Sequence, residues 1–192
     1  MAAVNYEDSD SDGPEETLEE IGDNPQKKML WAAQHNDMDL AKELLESDPS
    51  LVNSVDEDLY TPLHRASYNG HLDMAKFLLT NSASVHAKTA NGWQPLHSAC
   101  KWNNAAVASL LLQNDSDINA QTDGGQTPLH LAASNGKAKE TLQLLLMNRY
   151  LDADVLNAAN EKASDIVTRT GPLGYLFDMV GEHMKPSPPE TD

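Results

Sequence analysis

Apolar residues recur at three- and four-residue spacing in short blocks along the chain: Leu72, Ala75, Leu78 and Leu79, then Val107, Leu110, Leu111 and Leu112, then Leu142, Leu144, Leu145 and Leu146. Each block predicts an amphipathic helix whose apolar stripe faces a core. None is long enough to persist without a packed neighbour. Ahead of each block lies another short helical segment: Thr61–Asn69, Gln94–Trp102 and Thr127–Asn135. These carry Pro at the first helical position, where the missing N–H would be unpaired in any case. Thr61 and Thr127 precede that Pro and fit as N-caps. Gly70, Asn103 and Gly136 supply the turns between first and second helices.

An apolar-polar-small triplet ends each unit: Val52-Asn53-Ser54, Val85-His86-Ala87 and Ile118-Asn119-Ala120. Turn formers follow, Asn91-Gly92 and Asp123-Gly124-Gly125, which suits an extended hairpin finger leading into the next helix pair. Thr61-Pro62-Leu63-His64, Gln94-Pro95-Leu96-His97 and Thr127-Pro128-Leu129-His130 start 33 residues apart, so the pattern is an internal repeat. One further period upstream, Lys28-Met29-Leu30-Trp31-Ala32-Ala33 keeps the apolar pattern and loses the Thr-Pro-His signature, as a first unit with one wet side should. Downstream, Lys162-Ala163-Ser164-Asp165-Ile166-Val167 takes the motif's place 35 residues after Thr127. That implies about two inserted residues, one of them within the Gly136–Leu146 segment. Leu173–Val180 supplies a last short helix.

A 33-residue period with T-P-L-H-x-A, a helix pair and a finger resembles the ankyrin-repeat family. The resemblance implies an all-α ankyrin-repeat solenoid of about five helix-turn-helix repeats with β-hairpin fingers. The repeats would lie near 26–54, 55–87, 88–120, 121–155 and 156–184, the first and last as degenerate caps, within a domain spanning 25–184. Three positions depart from the family pattern. Ser82 and Asp115 stand where Gly usually follows the second helix, and Leu59 replaces Gly in a finger. Gly is favoured where φ is positive, so each replacement is expected to cost about 1 kcal/mol.

Charge narrows the partner. Thirteen Lys and Arg face 30 Asp and Glu, a net of −17, which argues against a nucleic-acid backbone or an anionic membrane. Nine of the acids and no Lys or Arg fall in residues 1–24, which are too poor in apolar side chains to offset the entropy of ordering and are expected to be disordered. In that tail Ser9 has acid one and three residues on, as substrates of acidophilic kinases do, and is a candidate phosphorylation site. Glu16-Thr17-Leu18-Glu19-Glu20-Ile21 mixes acids with apolar residues in the manner of acidic activation segments. Residues 185–192 hold three prolines and are also expected to be disordered. With one cysteine, no signal-peptide pattern and no long apolar run, the expectation is a soluble protein of nucleus or cytoplasm, acting as a monomer.

Seven histidines raise the question of a metal or catalytic site. His64, His97 and His130 share one repeat position, and the resemblance implies a structural role there, the imidazole bracing loops. Copies one repeat apart, roughly 10 Å, cannot share a metal. His35, His71, His86 and His183 lack zinc-site spacing. Cys100 follows His97 on one helix, but its sister positions are Ser67 and Ala133, so a small packed residue accounts for it. No Walker loop, dinucleotide fingerprint or nucleophile elbow occurs, so neither cofactor nor catalysis is expected.

What remains is surface. In ankyrin-like stacks, finger tips and the outer side of the first helices form a concave binding face. Here the candidates are Glu57, Asp58, Tyr60, Tyr68 and Asn69, then Lys88, Asn91, Trp93, Lys101 and Trp102, then Asp123, Gln126, Ser134 and Asn135. Trp93 and Trp102 are either anchors for a partner protein or packed on each other or on neighbouring fingers. The expected function is that of a non-enzymatic adaptor binding another protein through this face. A nuclear regulator, docking on a transcription or chromatin factor and recruiting through its acidic tail, is the alternative.

Overall fold

The computed structural model describes residues 17–183, with side chains as far as Met179. Its helices come in order: α1 Leu18–Ile21, α2 Pro25–His35, α3 Met38–Ser47, α4 Pro62–Asn69, α5 Leu72–Thr80, α6 Pro95–Lys101, α7 Ala105–Gln113, α8 Pro128–Ser134, α9 Lys139–Leu146, α10 Ala163–Thr170 and α11 Tyr175–His183. From α2 onward consecutive helices pair, α2 with α3, α4 with α5, α6 with α7 and α8 with α9, while α10 and α11 both pack on the short turn Pro172–Gly174 between them. Pro opens α2, α4, α6 and α8. The Thr61 and Thr127 hydroxyls accept the amides of His64 and His130 at 3.4 Å, capping α4 and α8.

The first helices α2, α4, α6, α8 and α10 stack side by side, and α5, α7, α9 and α11 form a second, looser row. Side-chain size explains the difference. Ala66, Ala99, Ala132 and Ala163 are fully buried where first helices meet, whereas the second row packs through Leu78, Leu111, Leu142 and Leu145. Small residues allow closer approach, so the first helices pack more tightly on one another than the second row does. Leu63, Leu96 and Leu129 repeat one wholly buried motif position. Removing such a side chain, as in Leu111→Ala, is expected to cost about 3 kcal/mol.

Each finger is a five-residue turn. Backbone bonds close it from Asp56 N to Tyr60 O at 3.2 Å, Thr89 N to Trp93 O at 2.9 Å, Thr122 N to Gln126 O at 3.0 Å and Asn157 N to Glu161 O at 3.0 Å. The expected β-hairpin fingers are therefore shortened: one closing bond is too few for a ladder, and no strand occurs among the described residues. Successive fingers are tied by Ala90 N to Asp58 O, Asp123 N to Asn91 O and Ala158 N to Gly124 O, at 2.9, 3.1 and 2.9 Å.

The expected N-terminal tail differs at its inner end. Residues 1–16, with Ser9, lie outside the described residues, but Thr17 caps α1 in a reciprocal exchange with Glu20, and Ile21 is buried. One apolar residue against α2 is enough to hold a single turn that composition alone assigned to disorder. Residues 185–192 are outside the described range. The two insertions also resolve. Second helices begin 11 residues after Thr61 and Gln94 but 12 after Thr127, which places one extra residue in the α8–α9 turn rather than in the helix. The other falls between Leu146 and Tyr150, where Met147 and Tyr150 stand 83% and 71% exposed.

Candidate functional site

The three motif histidines bind outward from their own cap. Thr61 N donates to His64 Nδ1 at 3.1 Å, and His64 Nε2 donates to the Trp93 carbonyl at 3.0 Å. His97 takes the Gln94 amide at 3.0 Å and reaches Ala120 O at 3.0 Å, while His130 takes Thr127 N at 3.2 Å and reaches Glu161 O at 3.0 Å. A backbone N–H can only donate, so Nδ1 is the acceptor and Nε2 carries the proton of a neutral ring. Burial pushes His64 and His97 down to about 4, the carbonyl bonds opposing it, and lowers His130 as well. His64 and His130 join one unit to the last residue of the next finger, and His97 joins its unit to Ala120, two residues before the next finger. Among the described residues no group of His, Cys, Asp or Glu is arranged to hold a metal ion. Cys100 is fully buried, and desolvation raises its thiol well above the ordinary range, the opposite of an activated nucleophile.

The surface candidates separate into two clusters, one at each end of the first helices. At the far end of α4, Tyr68 meets Trp102, which caps α6: their ring centroids are 4.8 Å apart and tilted by 55°. They stay 37% and 38% exposed. Asn69 is exposed beside them, its amide on the Arg65 carbonyl at 3.0 Å. In the next unit Lys101 Nζ lies 3.4 Å from Ser134 Oγ, and the Asn135 side chain donates to Lys101 O at 2.9 Å.

The second cluster is at the fingers. Tyr60 stands edge-on to His64 at 5.7 Å, and Trp93 is half-buried with its ring 6.3 Å from His97. Glu57, Asp58, Lys88, Asn91 and Asp123 are exposed at the finger tips, and Gln126 is half-buried, its amide on Thr122 Oγ1. No ring contact joins Trp93 to Trp102. Their separation follows from α6 itself, whose length of about 10 Å lies between the two positions. Trp93 sits at the finger base and Trp102 at the far turn, so only Trp102 has an aromatic neighbour on the outer surface.

Several residues with structural bonds were not singled out from the pattern. Asp56 accepts the amides of Asp58 and Tyr60 at 3.0 and 2.8 Å and pairs with Arg65 Nη2 at 2.6 Å; Arg65 in turn lies 4.9 Å over the Tyr60 ring. Asn104 donates to Ser67 O and Tyr68 O at 2.9 and 2.7 Å, capping the end of α4. Asn103 accepts from Thr141 and donates to Glu140 at 2.8 Å. Asn53 and Asn119 clip the loops after the next second helices, at Ser82 O and Ser84 N and at Tyr150 O and Asp152 N. The available signal was register: Asp56 aligns with Thr89, Thr122 and Asn157, all oxygen-bearing side chains that accept the amide four residues on.

Comparisons with known proteins agree with this architecture. Two family models of ankyrin repeats match, one over residues 29–79 and one over 82–159. Ankyrin repeat domain-containing protein 49 of Bos taurus is 59% identical over 157 residues, covering 82% of this chain and 66% of the relative. The Homo sapiens protein of that name is 57% identical with the same coverage. That of Drosophila melanogaster is 50% identical over 171 residues, 87% of this chain and 79% of its own length. The chain thus spans about two thirds of the length of the mammalian relatives.

Proposed function

Because the chain belongs to the ankyrin-repeat family, we propose that it is a non-enzymatic adaptor that binds another protein through the concave face of a five-unit stack. The observation that carries this is the Tyr68–Trp102 pair, two large rings in contact and still more than a third exposed. Neither ring is needed to fill the core, which runs through Leu63, Ala66, Leu96 and Ala99. Aromatic side chains that offer wide apolar area at small entropic cost are the usual centres of binding energy. The anchor is therefore Tyr68 with Trp102, rather than Trp93 with Trp102, and Asn69, Lys101, Ser134 and Asn135 form its polar surround.

The experiment is comparative capture with the full chain, wild type against Tyr68→Ala/Trp102→Ala, followed by reconstitution of each lost partner from purified components. The double variant is expected to keep its circular dichroism and melting transition while losing the partner. A folded double variant that retains every wild-type partner contradicts the assignment. The nuclear-regulator alternative depends on residues 1–24, and no contact among the described residues favours it over the adaptor.

A further inference from the structure

Three departures from the repeat meet at the first finger, residues 55–60. The fourth residue of each finger turn has positive φ: 76° at Gly92, 70° at Gly125, 60° at Asn160 and 64° at Leu59. Gly and Asn tolerate that conformation, whereas Leu is strained in it. The strain holds no core side chain in place, since Leu59 and its neighbour Val55 are each 44% exposed. Strained backbone that presents an exposed side chain is typical of binding segments.

The same finger is also tied down from its first residue. Only here is the finger's first residue a carboxylate, Asp56, tied both to two finger amides and to Arg65. It is also the open end of a row. Ala90, Asp123 and Ala158 each donate their N–H to the finger before. The corresponding donor in the first finger is Glu57 N, which has no partner among the described residues, because no finger precedes it. Around that donor stand the exposed carboxylates of Glu57 and Asp58.

We propose that the first finger is a docking edge for an extended, basic segment of a partner protein. A main-chain carbonyl of that segment accepts from Glu57 N–H and so continues the finger row. An aliphatic side chain covers Val55 and Leu59, and Lys or Arg side chains pair with Glu57 and Asp58. The segment is extended because the vacant donor belongs to a main-chain row, and basic because the exposed carboxylates of Glu57 and Asp58 flanking the donor have no ion-pair partner among the described residues. The inference takes protein binding as its premise but uses surface one α4 length, about 12 Å, from Tyr68.

The test uses the full chain labelled with 15N and a short capped peptide alternating Lys and Val, against its counterpart with Glu for Lys. The Lys–Val peptide is expected to shift resonances centred on residues 55–60 and to slow solvent exchange of the Glu57 amide, with no response to the Glu–Val peptide. Leu59→Gly relieves the strained backbone, so it is expected to melt higher yet bind the basic peptide about fivefold more weakly. Glu57→Lys with Asp58→Lys is expected to abolish the response. Equal response to the acidic peptide, shifts centred on Tyr68 and Trp102, no shift up to millimolar peptide, or unchanged affinity in Leu59→Gly would each overturn the inference. So would finger shifts that depend on protein concentration alone, which would mark a second copy as the occupant. Tyr68→Ala/Trp102→Ala should leave the peptide response intact, so failure of the capture experiment and failure at this finger are told apart.

Discussion

His64 Nε2 donates to the carbonyl of Trp93, 29 residues on, while its Nδ1 accepts from the backbone and hydroxyl of Thr61. One neutral ring thus fixes a helix start to the following finger. The Nδ1 bond requires the uncharged imidazole, and the site is fully buried; these two oppose protonation and outweigh the Trp93 carbonyl, which would accept from either form of the ring.

Stability should accordingly fall with acid in a defined window. His64 and His97 have folded values of about 4 against an ordinary 6.5, so the unfolded chain binds more protons between those limits. Their contribution is fully present above pH 6.5 and is lost as pH falls toward 4, at about 3 kcal/mol for each ring. The carboxylates held low by hydrogen bonds, Asp48, Glu140 and Glu161, titrate below their ordinary values and add to the loss only at the acid end. Urea midpoints measured from pH 7.5 to 4.5 are expected to fall, and His64→Asn should flatten the slope. A flat wild-type profile contradicts the neutral brace.

Ser82 and Asp115 lie at φ 69° and 66°, in the left-handed region. Ser82→Gly and Asp115→Gly should each recover about 1 kcal/mol and raise the melting temperature by roughly 2–4 °C. Thermal melts with no rise would show that these side chains stabilise the turns by more than their strain costs.

Gln94 occupies the cap position that Thr61 and Thr127 fill elsewhere, and its buried Oε1 has no hydrogen-bond partner among the described residues. Thr61 and Thr127 set their hydroxyls 2.9 and 2.7 Å from the histidine Nδ1. Gln94→Thr should restore that contact and remove the orphaned oxygen, for a gain of about 1–3 kcal/mol in chemical unfolding. A loss of stability would mean that the longer side chain fills space a threonine leaves empty.

Gly136 has ordinary φ, but a Cβ there would lie 2.5 Å from the carbonyl oxygen of Thr170. Gly136→Ala should therefore loosen α10 and α11 from the rest of the stack. Faster amide exchange confined to residues beyond 160 is the expected result; uniform protection would show that the last pair shifts without cost.

Periodicity revealed what depends on it. The Pro-Leu-His motif placed α4, α6 and α8 and their caps, and the leucine blocks placed α5, α7 and α9, because a repeated burial environment imposes repeated residue types. The asparagines were legible only as turn formers. Asn103 and Asn104 are polar residues between helices, and nothing local distinguishes a solvated amide from one that caps the carbonyls of Ser67 and Tyr68, 37 and 36 residues earlier. The binding face was half legible: Tyr68 and Trp102 stood out as large rings off the core period, but their mutual contact depends on the distance between stacked helices. Trp93 looked equivalent to Trp102 in the sequence and differs because the finger folds its ring toward His97.

The most direct measurement is site-specific photo-crosslinking in the full chain, with a benzophenone amino acid placed at exposed Asn69 beside the ring pair or at exposed Lys76 on α5 of the second row. The expected result is partner adducts from position 69, few from 76, and loss of the position-69 adducts when Tyr68→Ala and Trp102→Ala are introduced. Adducts that form equally from position 76, or that survive loss of both rings, would contradict protein binding through the concave face.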